Sequence, residues 1–325
     1  MAVALVAGWE ALLAAHGVDP AQEPPANEHW LREYRRVQSG QADVVFVGSS
    51  RIQEAVSTQQ VATALGIGPA RVANLGTPFS SGLPVLRRMV EVDGFAGTVV
   101  VEVLPTHFFG GAPSHVDAVL AQLEQPALYA DTEAAAATIW RQHVRSASGH
   151  SPLQAATGAL AGAARSGEAL PISGRLHDDR WYEVTVGDLA PADRIALAES
   201  ESHQFLKPGS MPDAQTLNAL LRSVAELVQI LENRGGHVIF VRMPSDLAVA
   251  EVEQSRFARA ATWDKLALAL PGRCLHWADN PVLAGLRCYD GSHLDSRGAA
   301  IFGAEIAAVI EQRRQHPLPA LKEAP

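Results

Sequence analysis

The chain has 325 residues, 47% of them hydrophobic and 19% charged, with a formal net charge of −9. This is globular composition, long enough for one large domain or two modest ones. The acidic balance and the lack of a basic run argue against nucleic acid as a partner, because neutralising phosphates needs clustered Lys and Arg.

In chain order, Ala2 to Ala15 is apolar but carries Glu10. It is shorter than the roughly 20 residues of a spanning helix and lacks the basic flank of a signal peptide. It reads as an amphipathic helix or as a shortened remnant of a membrane anchor, which leaves membrane association open. Residues 17–29, rich in Pro and acid, read as a linker. A helix is predicted over Trp30–Val37. The β-branched run Ala42–Val47 has the pattern of a parallel strand buried on both faces. A helix over Glu54–Leu65, a strand over Val72–Gly76, a helix over Leu83–Val92 and a strand over Thr98–Leu104 follow, the last stopped by Pro105.

From Thr106 to about Pro212 the alternation breaks. This stretch is alanine-rich, with helix-like pieces around 134–144 and 153–164 and one strand-like run, Trp181–Val186. Alternation resumes with a helix over Ala214–Asn233, ended by Gly235-Gly236. A strand His237–Met243, a helix within Leu247–Leu270, a strand-like run Cys274–Ala278 and a last helix Arg297–Ile310 complete the pattern.

Five strands alternating with helices predict an α/β fold: a doubly wound, flavodoxin-like, five-stranded parallel sheet flanked by helices, with a mostly helical insertion after the third strand. The chain then divides into an N-terminal helix and linker (1–40), an α/β domain (41–105 and 213–315), an insertion or cap (106–212) and a tail (316–325). Cys274 and Cys288 read as small core residues in preference to a disulfide pair. The sequence has no C-x-x-C or H-E-x-x-H zinc signature, no G-x-S-x-G elbow and no phosphate-binding glycine motif.

In such sheets, ligands sit beyond the carboxyl ends of the strands. Gly48-Ser49-Ser50-Arg51, Gly76, Pro105-Thr106, Arg242 to Pro244 and the loop Asp290-Gly291-Ser292-His293 all fall on that rim. A serine at a strand end can be a nucleophile, a histidine can take its proton, and a carboxylate can orient the imidazole. Ser50, His293 and Asp290 are the candidates, with Ser49 an alternative nucleophile and Asp295 an alternative acid. The amides of Ser50 and Gly76 are candidate oxyanion donors. Arg51 and Arg242 are candidates for holding an anionic group on a substrate, or for structural ion pairing with a buried Glu102.

These blocks resemble the SGNH (GDSL-like) hydrolase superfamily. GSS at 48–50 resembles its first block with Ser49 in place of the acid, NLG at 74–76 its second, and DGSH at 290–293 its last. The third block departs: the strand ends Leu104-Pro105-Thr106-His107, so Thr106 stands where the family has an oxyanion-hole Asn. The resemblance implies a Ser-His-Asp esterase acting on carboxylic esters without metal or organic cofactor. Its looser likeness to bacterial cell-envelope glycan O-acetyltransferases implies acyl transfer to a sugar hydroxyl as the alternative, with an acylated glycan as substrate and the periplasm or cell envelope as location. A catalytically dead domain that binds glycan or protein is the non-enzymatic alternative. With an ordinary histidine, activity is expected to fall as pH drops through roughly 6 to 7. The insertion is expected to cover the rim, with Trp181-Tyr182 as a contact surface or as part of its own core.

Overall fold

The computed structural model describes residues 26–123, 170–207 and 209–321. The chain falls into two units, residues 1–31 with 121–170, and residues 32–120 with 171–325. The account below concerns the second unit. The apolar N-terminal segment and the helix-like pieces at 134–144 and 153–164 lie outside the described residues. No helix among the described residues is long and apolar enough to cross a membrane.

The helix expected over Trp30–Val37 is α1 (Ala26–Gln38), followed by β1 (Val44–Gly48), α2 (Ser50–Ala55), α3 (Thr58–Ala64), β2 (Val72–Gly76), α4 (Leu83–Glu91) and β3 (Thr98–Glu102). The chain then leaves the sheet through α5 (Pro105–Phe108) and α6 (His115–Gln122). It continues through a hairpin of β4 (Ile172–Leu176) and β5 (Tyr182–Val186), and α7 (Pro191–Ser202). It re-enters through α8 (Ala214–Asn233), β6 (His237–Arg242), α9 (Leu247–Arg256), α10 (Trp263–Ala269), β7 (Cys274–His276) and α11 (Ser296–Gln315).

The five sheet strands run in the order β2-β1-β3-β6-β7, every neighbouring pair parallel. This is the doubly wound, flavodoxin-like order, whose direction of winding reverses between β1 and β3. The central strands read as unbroken apolar runs because both faces are covered. Val44 and Phe46 on one face of β1 join Ile52, Val61, Phe302 and Ile306, from α2, α3 and α11, in one core cluster. On the other face, Val47 and Val101 approach Gly82 so closely that a Cβ there would lie 2.9 Å from Val47 Cγ2. Each such buried Val, Ile or Phe contributes about 1.5–3 kcal/mol.

Local chemistry explains the helix boundaries. Asp213 caps α8 by accepting from the Thr216 amide at 2.7 Å, and the helix buries Leu217, Leu221, Val224, Val228 and Leu231 along one stripe. The single helix expected over Glu54–Leu65 is two. Val56 is extended, and Ser57 starts α3 afresh by accepting from the Gln60 amide. The region 247–270 is likewise split, with Thr262 preceding α10. The Trp181–Val186 run is a strand, and its partner β4 carried no recognisable signal because its residues are half-buried or exposed. Both cysteines are free, and burial pushes the Cys274 thiol up to about 12.

Candidate active site

β1 ends at Gly48, where a side chain would collide with Glu102 Cβ at 2.6 Å and Ile52 Cγ1 at 2.8 Å. Ser49 then takes extended backbone, and its hydroxyl accepts from the Arg51 amide at 3.2 Å. Its own amide donates to Glu102 Oε2 at 2.6 Å. Ser49 is therefore a buried helix cap. Ser50 is the first residue of α2 and is half-buried, with Oγ 2.8 Å from His293 Nε2.

His293 is carried by the loop before α11. Its Nδ1 lies 2.8 Å from Asp290 Oδ2. Asp290 Oδ1 accepts from the amides of Ser292 at 2.9 Å and His293 at 2.8 Å, so the carboxylate is fixed by its own turn. Gly291 allows that turn, with φ +83° and no room for a Cβ between Ala198 and the Asp246 carbonyl. Asp295 does different work: it caps α11 by accepting from the Gly298 amide at 2.8 Å. A serine hydroxyl, an imidazole and a carboxylate thus form one hydrogen-bonded row, geometry that can move a proton off the hydroxyl.

Three carboxylates surround the imidazole. Burial pulls His293 down, but Glu54, then Asp290 and Glu201, outweigh it and lift the ring to about 9. Asp290 is held below its ordinary range; burial opposes this, but His293 and the two loop amides prevail. Burial raises Glu54 to about 7, against the pull of His293, and also raises Glu201. One atom each from Glu201, Asp290 and His293 lies within 4.8 Å of the others. The Asp290–His293 hydrogen bond already uses two of those side chains.

The other rim residues are engaged within the protein. Arg51 is 2% exposed. Its Nε donates to Ser292 Oγ at 3.0 Å and its NH2 to Glu253 Oε1 at 2.9 Å. Arg242 pairs with the other oxygen of the same Glu253. The ion-pair partner of both arginines is thus Glu253, not Glu102, and Arg51 faces protein and not an open substrate site. Burial opposes Glu253 ionisation, but Arg242 and Arg51 prevail and hold it at about 2.

The Gly76 amide donates to Asn74 Oδ1 at 2.9 Å, so the expected oxyanion donor already has an acceptor. What makes position 76 glycine is packing: a Cβ would lie 2.4 Å from the Gln53 amide nitrogen. Asn74 in turn donates to the Val56 carbonyl at 2.7 Å, tying β2 to the break between α2 and α3. Thr106 is fully buried, and its hydroxyl lies 3.0 Å from His107 Nδ1. Burial, with His115 and Arg51 adding to it, holds His107 down at about 4 and hence neutral.

Described parts of the insertion reach this same edge. Arg180 in the β4–β5 turn donates to the Gly76 and Asn74 carbonyls at 2.6 and 3.2 Å. Trp181 Nε1 donates to the Glu54 carbonyl at 2.8 Å, and the indole is buried, while Tyr182 stays exposed. Glu201 comes from α7. A cavity of about 240 Å³ opens farther along the rim, over β6 and β7, lined by Arg242, Glu253, Trp263, His276 and Trp277 among others. Ser50, Asp290 and His293 do not line it.

Sequence reasoning missed Glu54, Glu201, Tyr289 and Glu253. Glu54 had a usable signal, since it stands four residues after Ser50 and shares its helix face. Glu201 and Glu253 come from distant segments with no local signature. The fold is a parallel sheet flanked by helices, a generic α/β hydrolase-like arrangement compatible with an enzymatic or a binding role. Comparison with models of known protein families found no match, and no curated protein matches the chain.

Proposed function

We propose that this chain is a serine-nucleophile hydrolase of carboxylic esters, of the SGNH (GDSL-like) kind. The observation that carries the reading is the 2.8 Å separation of Ser50 Oγ and His293 Nε2, with Asp290 on the other ring nitrogen. Ser50 Oγ attacks the acyl carbon as neutral His293 takes its proton. Asp290 holds the ring orientation and stabilises the imidazolium. The imidazolium then protonates the leaving alcohol, and a water that His293 deprotonates releases the acid and regenerates Ser50.

The Ser50 amide, at the start of α2, is the first oxyanion donor. The Gly76 amide already donates to Asn74, and the Thr106 hydroxyl keeps its own proton for another acceptor only in the tautomer where His107 Nδ1 is the donor. Removing one such donor costs roughly 10²–10³ in rate. An enzyme short of donors is therefore expected to be slow, or to acquire them as substrate binds.

The test is turnover of short and medium p-nitrophenyl esters by the wild type and Ser50→Ala, with and without a sugar acceptor. Hydrolysis that Ser50→Ala abolishes supports the reading. Product formed only with the sugar present makes the chain a transferase. No turnover and no covalent labelling of Ser50 reject catalysis and leave a binding domain.

A further inference from the structure

Glu54 has no role in the chemistry just described, yet it is one of the least solvated carboxyls in the second unit. It lies one helical turn beyond Ser50, its side chain 10% exposed. Oε1 is 3.9 Å from His293 Nε2, on the side of the ring that faces Ser50, and Oε2 accepts from Tyr289 Oη at 3.1 Å. Tyr289 adjoins Asp290, and its ring lies 6.2 Å from the His293 ring. Trp181 fixes the Glu54 backbone from the insertion. Among the described residues, His293 is the only cationic side chain within ion-pair reach of this carboxyl. Burying a carboxyl is costly, so a position that a helix could fill with an apolar residue calls for a compensating role.

We propose that Glu54 is a positioning residue for His293: held by Tyr289, its carboxylate lies against the Nε2 edge, stabilises the imidazolium and sets the pH at which the ring becomes a base. The inference rests on the functional reading above for its consequence in catalysis, not for the electrostatics. Other charged groups share the space. Asp290 faces His293 from its own loop, and Glu201 faces it from α7. Asp290, Glu201 and the Tyr289 hydroxyl bear on Glu54, and Arg51 bears on Glu201. Asp290 sits on Nδ1 and fixes orientation. Glu54 sits on the Nε2 side, where the proton is exchanged with Ser50. An opposite charge at this distance moves a titration by about 1 to 3 pH units.

The experiment is an NMR titration of the His293 imidazole in the full chain, with the resonance assigned by its loss in His293→Gln. In Glu54→Gln the midpoint is expected to fall by about one pH unit or more. Glu54→Asp, which keeps the charge, should restore part of that fall. Tyr289→Phe removes the donor that favours ionised Glu54, and so should move the midpoint the same way by less. The acid limb of fluorophosphonate labelling at Ser50 should shift with the midpoint. A folded Glu54→Gln with an unmoved His293 titration overturns the proposal. If that variant does not fold, an unmoved titration in Tyr289→Phe overturns it instead. The titration needs no substrate, so its outcome and that of the esterase reading are separable.

Discussion

Arg51 NH2 lies 2.9 Å from Glu253 Oε1, and both side chains are almost wholly buried. The pair braces the site: Arg51 follows Ser50 and also holds Ser292, the neighbour of His293, while Glu253 anchors it to Arg242 at the end of β6. One carboxylate thus serves two buried guanidiniums.

Removing that carboxylate breaks the ion pairs of two buried guanidiniums and leaves Arg51 only the longer-range field of Glu102. Glu253→Gln is therefore expected to destabilise the fold by about 3–5 kcal/mol, the usual cost of breaking a buried pair from one side. Urea unfolding followed by circular dichroism checks this. A loss under about 1 kcal/mol would mean that the arginines find other partners or water.

Stability should decline as the solution turns alkaline. His293 holds its proton to about 9 in the folded chain against 6.5 in an unfolded one. Its contribution is complete below pH 6.5 and is lost as pH rises through about 9. Glu54, raised to about 7 from 4.5, acts in the same sense at lower pH, since ionising it costs more folded than unfolded. Thermal melts should give a lower midpoint at pH 9 than at pH 6.5, with a smaller difference in His293→Gln. The acid limb of activity should likewise lie near pH 9, not at the roughly 6 to 7 expected of an ordinary histidine.

The two candidate acids should separate cleanly. Asp290→Asn removes the carboxylate charge that faces His293 Nδ1 and, on the proposed mechanism, should cut ester turnover by about 10⁴. Asp295→Asn keeps a side chain able to cap α11 and should change stability by well under about 1 kcal/mol, with turnover intact. Equal losses in the two variants would break the assignment.

Gly76→Ala tests the packing account of the second rim block. A Cβ would meet the backbone of Gln53 at 2.4 and 2.9 Å, and backbone cannot swing aside as a flexible side chain can. Destabilisation of about 1–3 kcal/mol is expected, the range for overpacking, read as a lower melting temperature. A variant as stable as the wild type would show that α2 can move away from β2.

The three central strands were readable because Val44–Gly48, Thr98–Glu102 and His237–Arg242 are short β-branched runs buried on both faces, whereas β2 was marked by its closing Gly76 and the half-buried β7 by its place in the alternation. Helix breaks were not: the split at Val56–Ser57 comes from a serine cap inside a stretch whose composition favours one helix. The hairpin partner β4 was missed because Ile172–Leu176 has neither alternation nor burial. Around the site, Ser50, Asp290 and His293 could be named because short-range chemistry marks them. The hydrogen-bond partners of Arg51, Arg242 and the Gly76 amide were not legible, since neither Glu253 on α9 nor the side chain of Asn74 announces in sequence which buried group it will meet.

The most direct test of the central claim is covalent labelling with a fluorophosphonate, with the adduct located by mass spectrometry in the wild type, Ser49→Ala and Ser50→Ala. Ser49→Ala should lose about 1 kcal/mol of helix capping and still be labelled. The account predicts a single adduct on Ser50, stronger at pH 9 than at pH 6.5 and absent from Ser50→Ala. An adduct that survives in Ser50→Ala, or no adduct on a folded wild-type chain at either pH, would contradict it.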